Sequence, residues 1–316
     1  MNIIAEFCQN HNGDFELLKE MVHAAKENGA DYAKIQTIFA DMVSYRERFE
    51  NGHEEDGKIK VIKRPYQPEY DRLKGLEITL DQQAEFVELC KKLQIKPLTT
   101  VFTRDSITSI KETGFDEVKL ASYDCASPAL IKDTKNVFKK VFLSTGASYD
   151  HEIEEAANIL GDSNYCFFHC VTIYPTPLKD FNLKRMDFLR QFTPCVGWSD
   201  HSSIEKDGIL GTLAAIYQGA DVIERHFTLL PSDKTKDGPV SITADQLSRI
   251  KSFSNLSKQE MKSYLLDIFP DFAITYGDSK RELSETELLN RDYFRGRFVN
   301  KLSNGKFAYN WEDIKL

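Results

Sequence analysis

The hydrophobic positions of this chain follow two alternating periods. Short apolar runs of strand length recur at 2–8 (NIIAEFC), 31–37 (DYAKIQT), 96–102 (KPLTTVF) and 116–122 (DEVKLAS). They continue at 139–144 (KKVFLS), 165–170 (YCFFHC), 194–199 (PCVGWS) and 220–227 (ADVIERHF). Most are apolar almost throughout, the pattern of strands buried on both faces in a parallel sheet. Segments of helical period lie between them. In 14–28, Phe15, Leu18, Met21, Val22 and Ala25 share one stripe, and Asn28-Gly29 ends the helix. Asp81 is the expected cap of a helix running to Leu93, with Phe86, Leu89 and Cys90 turned inward. Further helices are expected near 105–113, 127–135, 149–160, 182–191, 203–218 and 243–258.

Eight strand–helix units in a row predict an α/β fold of the (β/α)8 TIM-barrel type. A doubly wound sheet uses the same units but needs fewer of them and often opens on a Gly-rich turn; no G-x-G-x-x-G or P-loop pattern is present. The units occupy residues 1–258, and 259–316 read as a C-terminal extension. A charged excursion, 38–79, follows the second strand on the face where barrels carry their active sites. The extension contains a helical stretch and then a basic–aromatic run, DYFRGRF at 292–298, expected to pack beneath the barrel or between two barrels.

Composition narrows the function classes. The 316 residues are 41% hydrophobic and 28% charged, which is ordinary globular usage. Net charge is 41 − 49 = −8, which argues against a protein that coats nucleic acid or an anionic membrane. A small anionic substrate stays open, because a few lysines in a cleft suffice for it. The opening MNIIAEFCQN shows no signal-peptide pattern, and no run of about 20 apolar residues occurs. Cys8, Cys90, Cys125, Cys166, Cys170 and Cys195 form no C-x-x-C pair, and most sit in apolar runs where a free Cys packs as a small hydrophobe. A reduced, cytoplasmic protein is expected.

In a barrel, polar residues at the strand C-termini meet substrate. Here those positions hold Glu6, Lys34, Gln36, Thr99, Thr100, Lys119, Ser122, Ser144, Thr145, His169, Ser199, Asp200, His201, Glu224 and His226. Any one of them is more often a solvated rim residue than a ligand. Converging, two lysines among hydroxyls and an amide match a phosphate–carboxylate ligand, the lysines neutralising charge and the hydroxyls supplying directed donors. His201 and His226 end neighbouring strands, so their neutral imidazoles can meet on one divalent cation, Mn²⁺ or Co²⁺ with Mg²⁺ tolerated. Glu224 shares the strand face of His226 and is a further ligand or a support for one. The bland alternative for each His is a core imidazole satisfied by hydrogen bonds.

Seven segments stand in wording that resembles the sialic acid synthase family: AEFCQNHNGD (5–14), GADYAKIQT (29–37), VKLASYD (118–124), FLSTGAS (142–148), HCVTIYPTP (169–177), GWSDHS (197–202) and GADVIERHFTL (219–229). That family includes N-acetylneuraminate, legionaminate and pseudaminate synthases. The resemblance implies condensation of phosphoenolpyruvate with an N-acyl amino sugar aldehyde such as N-acetylmannosamine, releasing phosphate. It implies that Lys34, Gln36, Thr100, Lys119, Ser122, Ser144 and Ser199 bind phosphoenolpyruvate, and that His201 and His226 hold the metal, Mn²⁺ first. It also implies that Glu6 handles the attacking water or its proton, that Tyr174 and Asp237 touch the acceptor sugar, and that the protein is a homodimer. The departures fall at Val101, Tyr123-Asp124 and Thr172, and in the loop KTKDGPVS at 234–241. The small antifreeze-like domain that ends many members has no counterpart in 259–316, where Arg295 or Arg297 is the candidate replacement cation. Alternatives are another phosphoenolpyruvate-dependent sugar acid synthase, a Schiff-base aldolase through Lys34 or Lys119, and a non-catalytic sugar-binding barrel.

Overall fold

The computed structural model describes residues 1–315. Eight parallel strands close into a barrel: β1 (Asn2–Glu6), β2 (Tyr32–Gln36), β3 (Lys96–Val101), β4 (Glu117–Leu120), β5 (Lys140–Ser144), β6 (Tyr165–His169), β7 (Val196–Asp200) and β8 (Val222–His226). Each strand pairs with its sequence neighbours, and β8 closes on β1. The outer ring is α1 (Phe15–Glu27), α2 (Leu80–Lys92), α3 (Ile107–Glu112), α4 (Pro128–Val137), α5 (Asp150–Leu160), α6 (Arg185–Leu189), α7 (Leu210–Tyr217) and α8 (Ala244–Ser254). The predicted TIM barrel is the observed fold. Among the described residues no helix is long and apolar enough to cross a membrane.

Strand periodicity sorts the core into two. One face of each strand, including Ile3, Ala5, Ala33, Ile35, Val141, Leu143, Phe167 and Trp198, packs under the helices as part of the main cluster. The other face turns inward, where Ile4, Tyr32, Leu98, Phe142, Cys166, Phe168 and Val222 form a separate apolar plug. Gly197 belongs here because a Cβ at that position would lie 2.5 Å from the Phe168 ring. The plug makes the barrel a solid floor, with the strand-end polar cluster above it and the Tyr32 hydroxyl, Glu117 and Lys96 closing it below.

Three helix boundaries differ from expectation. Thr79, not Asp81, caps α2: its hydroxyl accepts from the Gln82 N–H while Gln82 returns the bond to the Thr79 N–H. The expected helix 203–218 is broken at Gly208, whose φ of +54° ends a first turn, Ile204–Asp207, before α7 begins. The segment 243–258 stops at Ser254, and Ser257 then caps a new helix, α9 (Lys258–Ile268), whose Met261 and Leu265 join the barrel's own core.

The run at 292–298 corrects the expectation of packing beneath the barrel. After α9 the chain passes through α10 (Glu285–Phe294) and crosses the C-terminal mouth. There it zips against the 38–79 excursion. Val43 bridges Phe298, the Val299 N–H donates to the Met42 carbonyl at 2.9 Å, and the Ser44 N–H donates to the Arg297 carbonyl at 2.8 Å. The Arg46 guanidinium donates to the carbonyls of Tyr293 and Arg295, and the Phe102 and Phe298 rings lie 4.8 Å apart. Glu69, from the helix Tyr66–Lys74, takes two bonds from Arg72 at 3.0 Å and pairs with Arg297. Two segments far apart in sequence thus share one cover over the mouth.

Candidate active site

The staggered strand register fixes which residues meet. Glu6 is level with Lys34 on one side and His226 on the other; Gln36 is level with Thr100, and Thr100 with Lys119; Ser199 is level with Glu224. Period two turns Glu6, Lys34, Thr100, Lys119, Ser144, Ser199 and Glu224 inward above the apolar plug, all buried.

Glu224 is the hub of this cluster. It pairs with Lys119, accepts from the Ser199 hydroxyl at 2.6 Å, and lies 3.6 Å from Lys34, which also contacts Glu6. Glu6 in turn accepts the Cys8 N–H at 2.7 Å. Burial by itself would raise the Glu224 pKa, but Lys119 and then Lys34 outweigh it and hold the carboxylate well below the usual range. Burial pushes Lys34 down, with Glu224 opposing. Two lysines against two glutamates leave the floor neutral, so an incoming polyanion meets ammonium groups already desolvated and in place.

A cleft of about 470 Å³ lies one step further along the strands, reached at Gln36 and His226, the next inward residues after Lys34 and Glu224. Gln36, Tyr174, Asp237 and His226 line it, together with Cys8, Gln9, Tyr123, Arg64, Arg72, Lys236 and Arg297. A wider groove of about 780 Å³ lies outside the cover, between Arg46–Phe49 and Arg291–Trp311, away from the lysine–glutamate cluster.

Not every polar strand end reaches this mouth. His169 is turned outward; its Nε2 meets the Phe181 carbonyl at 2.7 Å, its ring packs on Trp198, and burial lowers its pKa to about 3. Thr99 also faces the helices and bonds Thr37 at 2.9 Å. Asp200 pairs outward with Arg225, both fully buried. Thr145 donates to the Phe168 carbonyl at 3.0 Å. Ser122, by contrast, lies 3.1 Å from the Cys170 sulfur between Ala121 and Tyr123, which both line the cleft.

His201 and His226 come together as the strand order requires, with ring centroids 5.6 Å apart and the Tyr174 ring, tilted by 38°, 4.2 Å from His201. Burial lowers both pKa values, that of His201 to about 3 with His226 adding to the effect, so both rings are neutral lone-pair donors at neutral pH. His201 Nδ1 lies 3.2 Å from the Val171 carbonyl, which places its proton there and leaves the Nε2 lone pair facing the Ser199 hydroxyl at 3.5 Å. The tightest donor group is a different one: Cys8, His226 and Asp237 offer ligand atoms all within 4.8 Å of one another. His226 Nδ1 and Asp237 Oδ2 are buried without a hydrogen-bond partner, which is costly unless something binds there. Sulfur, imidazole and carboxylate donors with two unsatisfied atoms fit a divalent cation.

Sequence reading missed Cys8, Gln9, Arg64, Arg72 and Lys236. Cys8 had a signal: it stands two residues past Glu6, so strand parity carries it to the same side. The arginines had none, since only the folded cover brings them over the mouth.

With this geometry in place, comparisons with known proteins are informative. The NeuB family model matches residues 21–263. The N,N'-diacetyllegionaminic acid synthase of Campylobacter jejuni is 32% identical, covering 95% of this chain and 84% of its own length. A pseudaminic acid synthase from the same species is 27% identical over 99% of this chain and 85% of its own. The crystal structure of the N-acetylneuraminic acid synthetase of Leptospira borgpetersenii, solved with citrate, matches with a TM-score of 0.69 and 26% identity, covering 92% of this chain and 90% of that one.

Proposed function

The chain belongs to the NeuB family of nonulosonic acid synthases, and from that premise we propose that its cleft condenses phosphoenolpyruvate with the open-chain aldehyde of an N-acyl amino sugar such as N-acetylmannosamine. The observation that carries this reading is the buried pair Lys34 and Lys119, gathered with Ser199 about Glu224 at the floor of a cleft whose wall holds His226 and Asp237. A phosphate–carboxylate ligand displaces part of the lysine–glutamate pairing and takes over both ammonium groups. Gln36, Thr100, Ser122 and Ser144 supply neutral donors around it.

Tyr174 and Asp237 stand on the acceptor side, where Arg64, Arg72, Lys236 and Arg297 add donors for acyl and hydroxyl oxygens. C3 of phosphoenolpyruvate attacks the aldehyde carbon, whose oxygen takes up a proton to become a hydroxyl; water adds at C2 and loses a proton, and the C2–O bond breaks to release phosphate. Glu6, fixed by Lys34 and the Cys8 N–H, accepts the proton of that water. His201 and His226 hold a divalent metal, Mn²⁺ first and Mg²⁺ or Co²⁺ in its place, whose chemistry when bound is Lewis-acid polarisation of the aldehyde. Residues 1–258 are the synthase barrel and 259–316 an extension, not an antifreeze-like domain, that completes the mouth. The working form is a homodimer in the cytoplasm, where the six free cysteines stay reduced.

The test incubates the full chain with phosphoenolpyruvate, Mn²⁺ and a panel of N-acyl hexosamines, reading phosphate release and the mass of the product acid. Sugar-dependent release with a matching product is the expected result. No release with any acceptor, while phosphoenolpyruvate still binds, overturns the condensation.

A further inference from the structure

We infer that Cys8 is a metal ligand of this chain, its thiolate joining His226 and Asp237 beside His201 and adding affinity for thiophilic cations to the site. This rests on the reading above that the mouth holds a divalent metal. The three side chains converge from separate elements: Cys8 just past β1, His226 at the end of β8, and Asp237 in the following loop. Their donor atoms lie within 4.8 Å of one another, Cys8 and His226 are buried, and His226 Nδ1 and Asp237 Oδ2 have no other partner.

Backbone conformation supports a role for this side chain. Cys8 sits at φ 45°, in the left-handed region that disfavours any residue carrying a Cβ. Its N–H is tied to Glu6 at 2.7 Å, so the strain is held by the active-site floor itself. Glycine would relieve that strain at no cost to the turn, and a buried apolar contact needs no sulfur. A sulfur held in a strained turn, beside an imidazole and a carboxylate that both lack partners, is explained by ligation. Binding replaces the thiol proton with the metal, and the proton leaves to solvent.

The consequence is selectivity. Thiolate ligands favour Co²⁺ and Zn²⁺ over the oxygen-seeking Mn²⁺ and Mg²⁺. On this account Asp237 belongs to the metal's own shell and meets the acceptor from there.

The test loads the full chain with Co²⁺ and records its absorption spectrum beside Cys8→Ser and Cys8→Gly, the glycine variant chosen because the left-handed turn tolerates it. The wild type is expected to show visible cobalt bands with an intense sulfur-to-cobalt charge-transfer band in the near ultraviolet. Both variants lose that band. By chelator competition they lose about 100-fold in Zn²⁺ affinity but less than about 10-fold in Mn²⁺ affinity. The metal-free Cys8→Gly protein keeps or raises its unfolding temperature, which separates ligand loss from misfolding. Visible cobalt bands without the charge-transfer band, or equal losses for both metals, overturn Cys8 ligation while the condensation reading stands. No bound cobalt at all overturns this proposal and the metal part of that reading together.

Discussion

Glu224 and Arg225 are consecutive residues of β8, both buried, and strand parity turns them to opposite sides of the barrel wall. Arg225 faces out and is closed off. It pairs with Asp200 and donates to the Ser202 hydroxyl at 2.8 Å and carbonyl at 3.1 Å, while Asp200 also accepts from Thr212 at 2.6 Å and the Ser202 N–H at 2.8 Å. Glu224 faces in, and its lysine and serine partners sit beneath an open cleft. Buried charge by itself therefore does not mark a site. One network pairs its charges with each other and ties β7, β8 and α7 together, leaving only Arg225 Nε without a hydrogen-bond partner; the other holds cations ready for a ligand. What separates them is the side of the wall: only the inward network adjoins the cleft, through Gln36 and His226.

The comparison breaks most sharply if the outward pair proves dispensable. Asp200→Ala leaves a buried guanidinium without its counter-ion and should cost about 3–5 kcal/mol in urea unfolding. A loss below about 1 kcal/mol would mean the pair is not structural. The inward network predicts a different division: Lys119→Met should cost less stability than Asp200→Ala, because Lys34 and Ser199 still face Glu224, yet lower kcat/KM for phosphoenolpyruvate about 10²- to 10³-fold. Steady-state kinetics beside thermal unfolding checks both halves.

The cover sharpens the contrast at a smaller scale. Glu69 orients Arg72 and Arg297, and those two arginines outweigh the cost of its burial to hold its pKa down. Glu69→Gln should raise the acceptor KM about tenfold, near 1.4 kcal/mol, with the phosphoenolpyruvate KM unchanged. Equal rises in both would place Glu69 with the floor rather than the cover.

The smallest effect concerns a third kind of buried charge. Asp124 has only neutral direct partners, Ser127 at 3.0 Å and Asn310 at 2.8 Å, and burial raises its pKa to about 6. Between its ordinary 3.8 and about 6 the folded chain binds more protons than the unfolded one, so this group's contribution to stability falls as pH rises through that window. Asp124→Asn should flatten that slope and leave the variant more stable at pH 7 by about 1 kcal/mol, after allowance for partial exposure. Unfolding curves from pH 4 to 7 decide it.

Much of this was legible along the chain. Strands β1 to β8 begin and end within two residues of the apolar runs that predicted them, because burial on both faces leaves no polar phase to confuse the period. Glu6, Lys34, Lys119, Ser199 and Glu224 were marked as strand-end polar groups, and the barrel's register joins them in one network. His169 and Thr99 were marked by the same rule and lie on the outer face, since position at a strand end says nothing of which side a residue takes. Cys8 was passed over because a lone thiol in an apolar run is usually packing.

The sequence by itself determined the alternation of strand and helix, the residues available at each strand end, and the family wording that runs through them. Those are local properties: period, capping chemistry and residue type act over a few positions. Tertiary structure alone decided that Cys8 and Asp237 meet His226, that Arg225 closes on Asp200, and that the 292–298 run covers the mouth instead of the base. Apart from Asp237 and His226, each of those joins segments tens to hundreds of residues apart, and strand stagger and loop path, which no local pattern encodes, set the distance between them.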